Sequence, residues 1–378
     1  MIEYKKATFC EADMNFLQNE LLKRALPDLF TVNGKKISSK EEWERIARPY
    51  WEGLLLQEEY GARPEVLSFT VKTERKAVDF AGKAVWEEVV FTFKRGGKAY
   101  SVPTQLICPA DGEKHPFFIY INFRPDVPDR YLPVEELLDN GFGIFTICYE
   151  SVTPDNGDFT AGLPALFEEG ERAQAGTGKI GYWSYMASRM MDYLLTRKEA
   201  QEDAIGVAGH SRLGKTALLT AALDERFAFV CSNDSGCSGA ALSRHASEGG
   251  EKIADIVASF PFWFAPAYAK YANNADSLPF DQHALLALVA PRAAFIGGAK
   301  LDIWADNDNQ FLNCFAVTPV WELYGKTGFV TPDSYPKVGD NFNEGNVGFH
   351  LREGKHYHSR TDWLAYMDSV KKYLACRG

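Results

Sequence analysis

The sequence predicts an α/β fold with a mostly parallel, doubly wound sheet and helices on both faces. From about residue 85 onward, short apolar runs typical of buried strands alternate with helical patterns. Hydrophobic residues make up 46% of the 378-residue chain and aromatic residues 13%, which suffices for one large core. Because we find no repeat or low-complexity linker, we expect a single domain over residues 1–378, with a helical N-terminal extension (1–84) and a main core (85–378).

The individual elements follow from periodicity and turn residues. Helical patterns occupy 13–26 and 41–56 in the extension, and 85–93 and 100–108 form a hairpin around Gly96-Gly97 at the antiparallel edge of the sheet. Further strands are predicted at 117–121, 143–148, 204–208, 228–231, 293–296 and 347–351, and further helices at 132–140, 182–196, 215–223, 284–288, 309–325 and 361–375. The polar stretch 149–179 is too long for a simple connection, so we expect it to shape a site.

Composition excludes several classes of partner. With 41 basic and 51 acidic residues the net charge is −10, which argues against nucleic acid or an anionic membrane as the main partner. The seven cysteines form an odd set without metal-ligand spacing, so we expect no metal, no cofactor and a reducing, cytoplasmic setting. The N-terminus lacks the apolar segment of a signal peptide, and no run reaches transmembrane length.

A strand–turn–helix joint around Ser211 has two interpretations. As a nucleophile elbow it approximates G-x-S-x-G, with Gly209 and Ser211 in place and Gly214 one residue late. As a phosphate loop, residues 209–216 match G-x-x-x-x-G-K-[ST] completely. We favour the elbow, because no acid is well placed to hold Mg²⁺ and because an acid and a histidine follow downstream.

The downstream residues complete a catalytic set. A serine nucleophile needs a base and an orienting acid, and in the α/β-hydrolase fold the chain order is serine, acid, histidine. Here Ser211 is followed by Asp302, after the strand at 293–296, and by His356, after the last strand. Each lies at the carboxyl end of a predicted strand, where open α/β sheets bind ligands.

Alternatives remain at two of these positions. Asp234 also ends a strand and competes with Asp302 as the acid. His358 is the nearest rival of His356, and His350 within the last strand is assigned to the core.

Three residues flank the nucleophile. The backbone N–H of Arg212, at a helix N-terminus, is the expected oxyanion donor. Lys215 is either a substrate donor or a solvated surface residue. His210 is assigned to packing beside the site.

Several motifs together resemble one family. They are Gly209 to Ala217, Ser232 to Ala241, Phe260 to Phe264, Leu301 to Asp306, Arg352 to His356 and Asp362-Trp363. They are similar to motifs of the glucuronoyl esterases, carbohydrate esterase family 15, which is an α/β-hydrolase family that includes bacterial acetylxylan-esterase-like members. The similarity covers the C-terminal half well and the N-terminal extension poorly.

The resemblance implies roles for individual residues. Ser211 would be the nucleophile, His356 the base and Arg212 the oxyanion stabiliser. The acid would come from Asp234, as in fungal members, or from Asp302, as in many bacterial ones.

It also implies a substrate site. Lys215 would contact uronate hydroxyls and Trp304 would stack on a sugar, with Trp263 and His210 also lining the site. His210 replaces a signature cysteine, and the sugar-binding glutamate of fungal members has no counterpart near Phe260.

We therefore expect a metal-independent serine carboxylesterase acting on small carbohydrate esters of plant cell-wall origin. A 4-O-methyl-glucuronoyl ester is the first choice of substrate and an acetylated xylo-oligosaccharide the second. A nucleotide-binding protein using residues 209–216 is the alternative from another class.

Overall fold

A ten-stranded sheet forms the centre of the molecule in a computed structural model, which describes residues 15–167 and 172–377. The strands within the described residues are β1 (Thr31–Val32), β2 (Lys35–Lys36), β3 (Phe69–Asp79), β4 (Ala84–Arg95), β5 (Lys98–Pro109), β6 (His115–Asn122), β7 (Gly143–Cys148), β8 (Ala200–His210), β9 (Phe229–Asn233), β10 (Ala293–Ala299), β11 (Asn341–Phe342) and β12 (Val347–Arg352). The α-helices are α1 (Phe16–Leu22), α2 (Lys40–Glu42), α3 (Arg48–Leu55), α4 (Val134–Asp139), α5 (Tyr149–Val152), α6 (Lys179–Leu194), α7 (Arg212–Leu223), α8 (Ile253–Ser259), α9 (Gln282–Ala287), α10 (Asn307–Ala316), α11 (Thr318–Leu323) and α12 (Arg360–Ala375).

The sheet has the predicted mixed topology. Its order is β11-β12-β10-β9-β8-β6-β7-β5-β4-β3, while β1 and β2 form a separate small hairpin. The strands from β7 through β6, β8, β9 and β10 to β12 pair in parallel, and the antiparallel pairs lie at the two edges. The apolar runs that predicted β6, β7, β8, β9, β10 and β12 are buried on both faces by helices, as expected for parallel strands.

The N-terminal extension is only partly helical. One helical segment runs from Lys40 to Tyr60 through α2, a π-helical turn at Trp43–Ala47, α3 and a second π-helical turn at Leu56–Tyr60. Phe69–Asp79, predicted inside the helical extension, is instead the edge strand β3, which pairs along its length with β4. Most of its side chains are exposed and five of the eleven are charged, so only Phe69 and Val71 at its start mark an apolar face. The predicted helix start at residue 13 lies outside the described residues.

The remaining elements lie close to their predicted positions. The hairpin turn falls at Gly96-Gly97, and α6, α7 and α12 begin and end within three residues of expectation. The segment predicted as mostly helix at 309–325 is divided into α10 and α11, and Pro319 opens the second helix. Within the described residues, no helix combines the length and apolar character needed to cross a membrane.

The topology places four polar residues at one rim of the sheet. Ser211 follows β8, Asp234 follows β9, Asp302 follows β10 and His356 follows β12. These strands are consecutive neighbours in the sheet, so their carboxyl ends meet.

Candidate active site

Ser211 occupies a tight turn between β8 and α7. Its φ is +59°, a strained left-handed conformation for a non-glycine residue. A Cβ on Gly209 would lie 2.1 Å from the carbonyl oxygen of Leu213, so this close approach of strand and helix requires glycine. The Ser211 N–H donates to the Asn233 carbonyl at 2.8 Å, which fixes the turn to the end of β9. The late second glycine therefore does not prevent a nucleophile elbow.

A chain of hydrogen bonds runs from Ser211 to Asp302. The His356 Nε2 lies 2.9 Å from the Ser211 Oγ, and the His356 Nδ1 lies 2.6 Å from the Asp302 Oδ2. Asp302 is 5% exposed, whereas the His356 side chain is 43% exposed on its loop. A hydroxyl, an imidazole and a carboxylate in this order form the arrangement that activates a serine for attack on an acyl group.

Asp234 lies beside this chain without joining it. Its Oδ1 accepts the Ala299 N–H at 2.9 Å, and its Oδ2 lies 3.5 Å from an Arg352 nitrogen. Burial raises the pKa of Asp234 well above its usual value, and the nearby carboxylates of Asp362 and Asp302 add to the increase. Of the two competing acids, the one bonded to His356 is Asp302.

The same three residues form a set that could ligate a cation. Ligand atoms of Asp234, Asp302 and His356 lie within 4.8 Å of one another. In the observed geometry the imidazole Nδ1 and the Asp302 carboxylate are already bonded to each other, so a bound metal would have to replace the serine-activating arrangement.

The other histidines near the C-terminus have structural partners. The His358 Nδ1 bonds the Tyr120 hydroxyl at 3.0 Å, and burial lowers the pKa of His358 to about 4. The His350 Nε2 bonds Asp362 at 2.9 Å inside the core. Neither ring is hydrogen-bonded to Ser211.

The His210 ring packs beside the imidazole of His356. Its ring centroid is 4.5 Å from that of His356, and its Nδ1 donates to the Asn233 Oδ1 at 2.7 Å. Burial lowers the pKa of His210 well below its usual value, and the two neighbouring histidines lower it further. A neutral ring therefore lies against His356.

Arg212 is held over an aromatic surface at the start of α7. Its guanidinium lies 4.5 Å from the Trp263 ring centroid and 5.3 Å from that of Phe260. It forms an ion pair with Asp155, which also accepts the Trp263 indole N–H at 2.7 Å. Trp263 is only 3% exposed, so it contributes to the site by holding Arg212 and Asp155 rather than by an open ring face.

Lys215 points into the protein rather than toward solvent. Its ammonium donates to the carbonyls of Ser235 and Cys237 and to the Glu251 carboxylate, the last at 2.8 Å. The Glu251 Oε1 in turn accepts the indole N–H of Trp304 at 3.1 Å, and Trp304 is 50% exposed. A carboxylate is therefore present beside Trp304. It comes from Glu251 and not from a residue near Phe260.

These contacts contradict the phosphate-loop interpretation of residues 209–216. The three N–H groups of Lys215 are directed to protein oxygens, and the hydroxyl of Thr216 donates to the Arg212 carbonyl within α7. A phosphate loop needs both side chains free for phosphate and Mg²⁺.

Sequence reasoning missed the acids that orient the basic residues. Asp155 lies 57 positions from Arg212, and Glu251 lies 36 positions from Lys215. Arg352 in turn contacts two buried acids, Asp234 and Asp362. The only signal was the unusual length of the stretch that contains Asp155.

Comparisons with known proteins give one consistent family. A family model described as "Glucuronyl esterase, fungi" matches residues 92–325, which is more than half of the chain. Carbohydrate esterase MZ0003, from an unknown prokaryotic organism, is 30% identical over 95% of this chain and 92% of its own length. A 4-O-methyl-glucuronoyl methylesterase from Schizophyllum commune is also 30% identical, over 80% of this chain and 74% of the relative.

Solved structures agree with the sequence relatives. The glucuronoyl esterase from Solibacter usitatus superposes with a TM-score of 0.86 at 29% identity, over 92% of this chain and 97% of that one. The rim geometry described above therefore belongs to a fold that solved esterases share.

Proposed function

Because the chain belongs to the glucuronoyl esterase family, we propose that it hydrolyses glucuronoyl esters through Ser211, His356 and Asp302. It is a carboxylic ester hydrolase with an α/β-hydrolase fold. The observation that carries the proposed mechanism is the hydrogen-bond chain from the Ser211 hydroxyl through His356 to Asp302.

Both half-reactions follow from this series of hydrogen bonds. The Ser211 Oγ attacks the ester carbonyl carbon while its proton passes to the His356 Nε2, and Asp302 stabilises the resulting imidazolium. Collapse of the tetrahedral intermediate breaks the bond to the alcohol, which takes the proton from His356. Water then attacks the acyl-enzyme with His356 again as the base, which releases the uronate and restores the Ser211 hydroxyl.

Arg212 supplies the positive environment for the developing oxyanion. Its backbone N–H is the first of helix α7, and the first N–H groups of a helix have no intrahelical acceptor. Its guanidinium is fixed by Asp155 and by the Trp263 ring, so little reorganisation is needed when charge develops on the substrate.

The sugar side of the substrate is assigned to Glu251 and Trp304. The exposed Trp304 ring offers an apolar face of the kind on which a pyranose packs, and the neighbouring Glu251 carboxylate can accept sugar hydroxyls. In this proposal Lys215 acts mainly by holding Glu251, because its three N–H groups already have protein acceptors.

The natural substrates are proposed to be small carbohydrate esters of plant cell-wall origin, including lignin–carbohydrate esters and uronate esters of xylan fragments. The half-exposed base at the rim leaves room for a bulky alcohol group. A cytoplasmic location stays a prediction; the six cysteines of the described residues are all unpaired, as is usual in reducing compartments.

Ser211→Ala tests the assignment. We expect turnover of benzyl glucuronate to fall by at least about 10³-fold, because removal of a nucleophile leaves only binding and oxyanion stabilisation. Ser277→Ala, at an exposed hydroxyl bonded to a local carbonyl, is the matched control.

Two outcomes would change the proposal. Full activity of Ser211→Ala would exclude Ser211 as the nucleophile. A much higher kcat/KM on p-nitrophenyl acetate or an acetylated xylo-oligosaccharide than on the uronate ester would replace the glucuronoyl substrate by the acetyl one.

A further inference from the structure

The loop that carries His356 connects β12 to α12 and has little secondary structure of its own. It begins after Arg352 and ends at Ser359, the N-cap of α12. His356 is exposed on this loop, although its imidazole must stay within hydrogen-bond distance of both Ser211 and Asp302. Something other than helix or strand ladders must therefore fix its backbone.

The Arg352 guanidinium supplies this restraint from inside the loop. Its Nη1 donates to the Glu353 carbonyl at 3.0 Å, and its Nη2 donates to the carbonyls of Lys355, at 3.2 Å, and Tyr357. The last two residues flank His356 on either side. One buried side chain therefore binds the backbone immediately before and after the catalytic imidazole.

The guanidinium is itself fixed by two acids of the core. Its Nε donates to the Asp362 Oδ2 at 2.6 Å, and its Nη2 lies 3.5 Å from the Asp234 Oδ2. Arg352 is 7% exposed, and Asp362 and Asp234 are 0% and 2% exposed. Charge-assisted hydrogen bonds in such an environment have defined geometry, and the planar fork of arginine serves several acceptors at once.

Asp362 also closes the far end of the loop. Its Oδ2 accepts the backbone N–H of Ser359 at 2.7 Å and the Ser359 hydroxyl at 2.8 Å, in the capping box of α12. The first and last residues of the segment are thus joined through one carboxylate, and the loop is closed around the guanidinium.

We propose that Arg352 is a positioning residue of the esterase, which holds the His356 loop so that the imidazole meets Ser211 and Asp302. The inference rests on the proposed function, since it assigns how the base of that reaction is placed. Arg352 does not touch Ser211 or the reacting atoms; it acts through the carbonyls of Lys355 and Tyr357.

Two variants test the proposal in different ways. Arg352→Lys keeps the buried charge but cannot serve three carbonyls and a carboxylate together. Gly354→Ala keeps Arg352 itself, but it strains the loop at a φ of +117° and places a Cβ 2.7 Å from the Arg352 Nη1, so it disturbs both the loop backbone and its contact with the guanidinium. Arg360→Met is the control. It removes an exposed arginine at the start of α12 that forms an ion pair with Glu136 of α4.

The expected result is a loss in kcat without a matching change in KM. We expect kcat on benzyl glucuronate to fall about 10–100-fold in Arg352→Lys, because a displacement of about 1 Å in a catalytic group can cost this much. KM should stay within about twofold, since no substrate contact is removed. Gly354→Ala should show the same pattern, and Arg360→Met should match the wild type.

A spectroscopic readout separates positioning from simple instability. The proton between the His356 Nδ1 and Asp302 should give a downfield NMR resonance in the wild type and in Arg360→Met. It should be lost or broadened in Arg352→Lys and Gly354→Ala, while circular dichroism shows both folded. Rates are expressed per active site titrated with a fluorophosphonate.

Either of two results would overturn the proposal. One is a folded Arg352→Lys or Gly354→Ala enzyme that keeps kcat within about threefold of the wild type and retains the downfield resonance. The other is a loss of rate fully accounted for by fewer titratable sites. If instead Ser211→Ala kept full activity, the proposed function would fail, while the resonance would still report whether Arg352 holds the loop.

Discussion

Two buried aspartates lie beside the same imidazole, and the structure gives them different partners. Asp302 bonds the His356 Nδ1 at 2.6 Å, whereas Asp234 bonds a backbone N–H and lies near Arg352. Both follow a strand of the parallel sheet, and β9 and β10 are neighbours. The end of a strand brings a carboxylate to the rim of the sheet. The local hydrogen bonds then decide whether that carboxylate can orient the imidazole.

The surroundings of Asp234 also disfavour it as the acid that orients the imidazole. Asp234 is buried against other carboxylates, which raises its pKa and favours its neutral form. A carboxyl that favours its neutral form stabilises an imidazolium poorly, and Asp234 also makes no hydrogen bond to His356.

Asp302→Asn should have the largest effect on turnover of the aspartate variants considered. We expect kcat/KM to fall about 10³–10⁴-fold, because an amide in place of the orienting acid favours the wrong imidazole tautomer. Steady-state rates on a uronate ester measure the effect, and Asp308→Asn in the following helix is the control. A loss of less than about tenfold would transfer the role to Asp234.

Asp155→Asn tests a third acid, which holds a cation instead of the base. An amide cannot accept both the Arg212 and the Trp263 donors as a carboxylate does, so Arg212 should lose its fixed position. We expect kcat to fall about 10–100-fold, less than the roughly 10²–10³-fold cost of removing an oxyanion donor outright, because Arg212 is displaced rather than removed. Asp158→Asn, exposed in the same segment, should leave the rate unchanged; equal losses in both variants would argue against a role of Asp155 at Arg212.

The pH dependence of thermal unfolding should report the raised pKa of Asp234. A carboxyl whose folded pKa is raised stabilises the fold below its unfolded pKa of about 3.9, and this contribution is lost as pH rises through the folded value. Asn cannot ionise, so the Tm of Asp234→Asn relative to the wild type should be higher at pH 7 than at pH 4.

Asp362→Asn should show the opposite pH dependence of the Tm difference. Its hydrogen bond with His350 and the charge of Arg352 lower its pKa against the effect of burial, so its contribution is present above pH 4 and lost in acid. The Tm deficit of Asp362→Asn should therefore be larger at pH 7 than at pH 3. Identical pH dependence in the two variants would contradict the assigned environments.

Asp234→Asn should have the smallest effect on turnover. Because the Asp234 carboxyl bonds the Ala299 N–H and lies near Arg352 rather than bonding His356, an isosteric amide should keep kcat/KM within about threefold. The same assay as for Asp302→Asn measures it. A loss as large as that of Asp302→Asn would show that the base uses both acids.

The residues that meet at the rim of the sheet could be predicted from turn residues and strand ends. Ser211 follows from a glycine-framed turn, and Asp302 and His356 follow from strand ends and chain order. The choice between Asp302 and Asp234 could not be made, since both end strands and only side-chain contacts separate them.

The supporting contacts were beyond sequence reasoning for a physical reason. Asp155 meets Arg212, and Glu251 meets Lys215, across loops whose paths no periodicity describes. The fold class was predictable, but β3 and the two-residue strands β1, β2 and β11 were not, because β3 carries mainly exposed side chains and the others are too short to show a period.

The edge strand β3 has a practical consequence for handling the enzyme. Five strands, β6, β7, β5, β4 and β3, follow β8 toward that side of the sheet, which at about 4.8 Å per strand places β3 roughly 24 Å from the elbow. Its exposed Lys72 and Lys76 offer amines for attachment to an aldehyde-activated bead, and Arg75 adds positive charge for an anionic resin. An enzyme immobilised through this strand would leave the elbow at Ser211 away from the support and open to dissolved substrate.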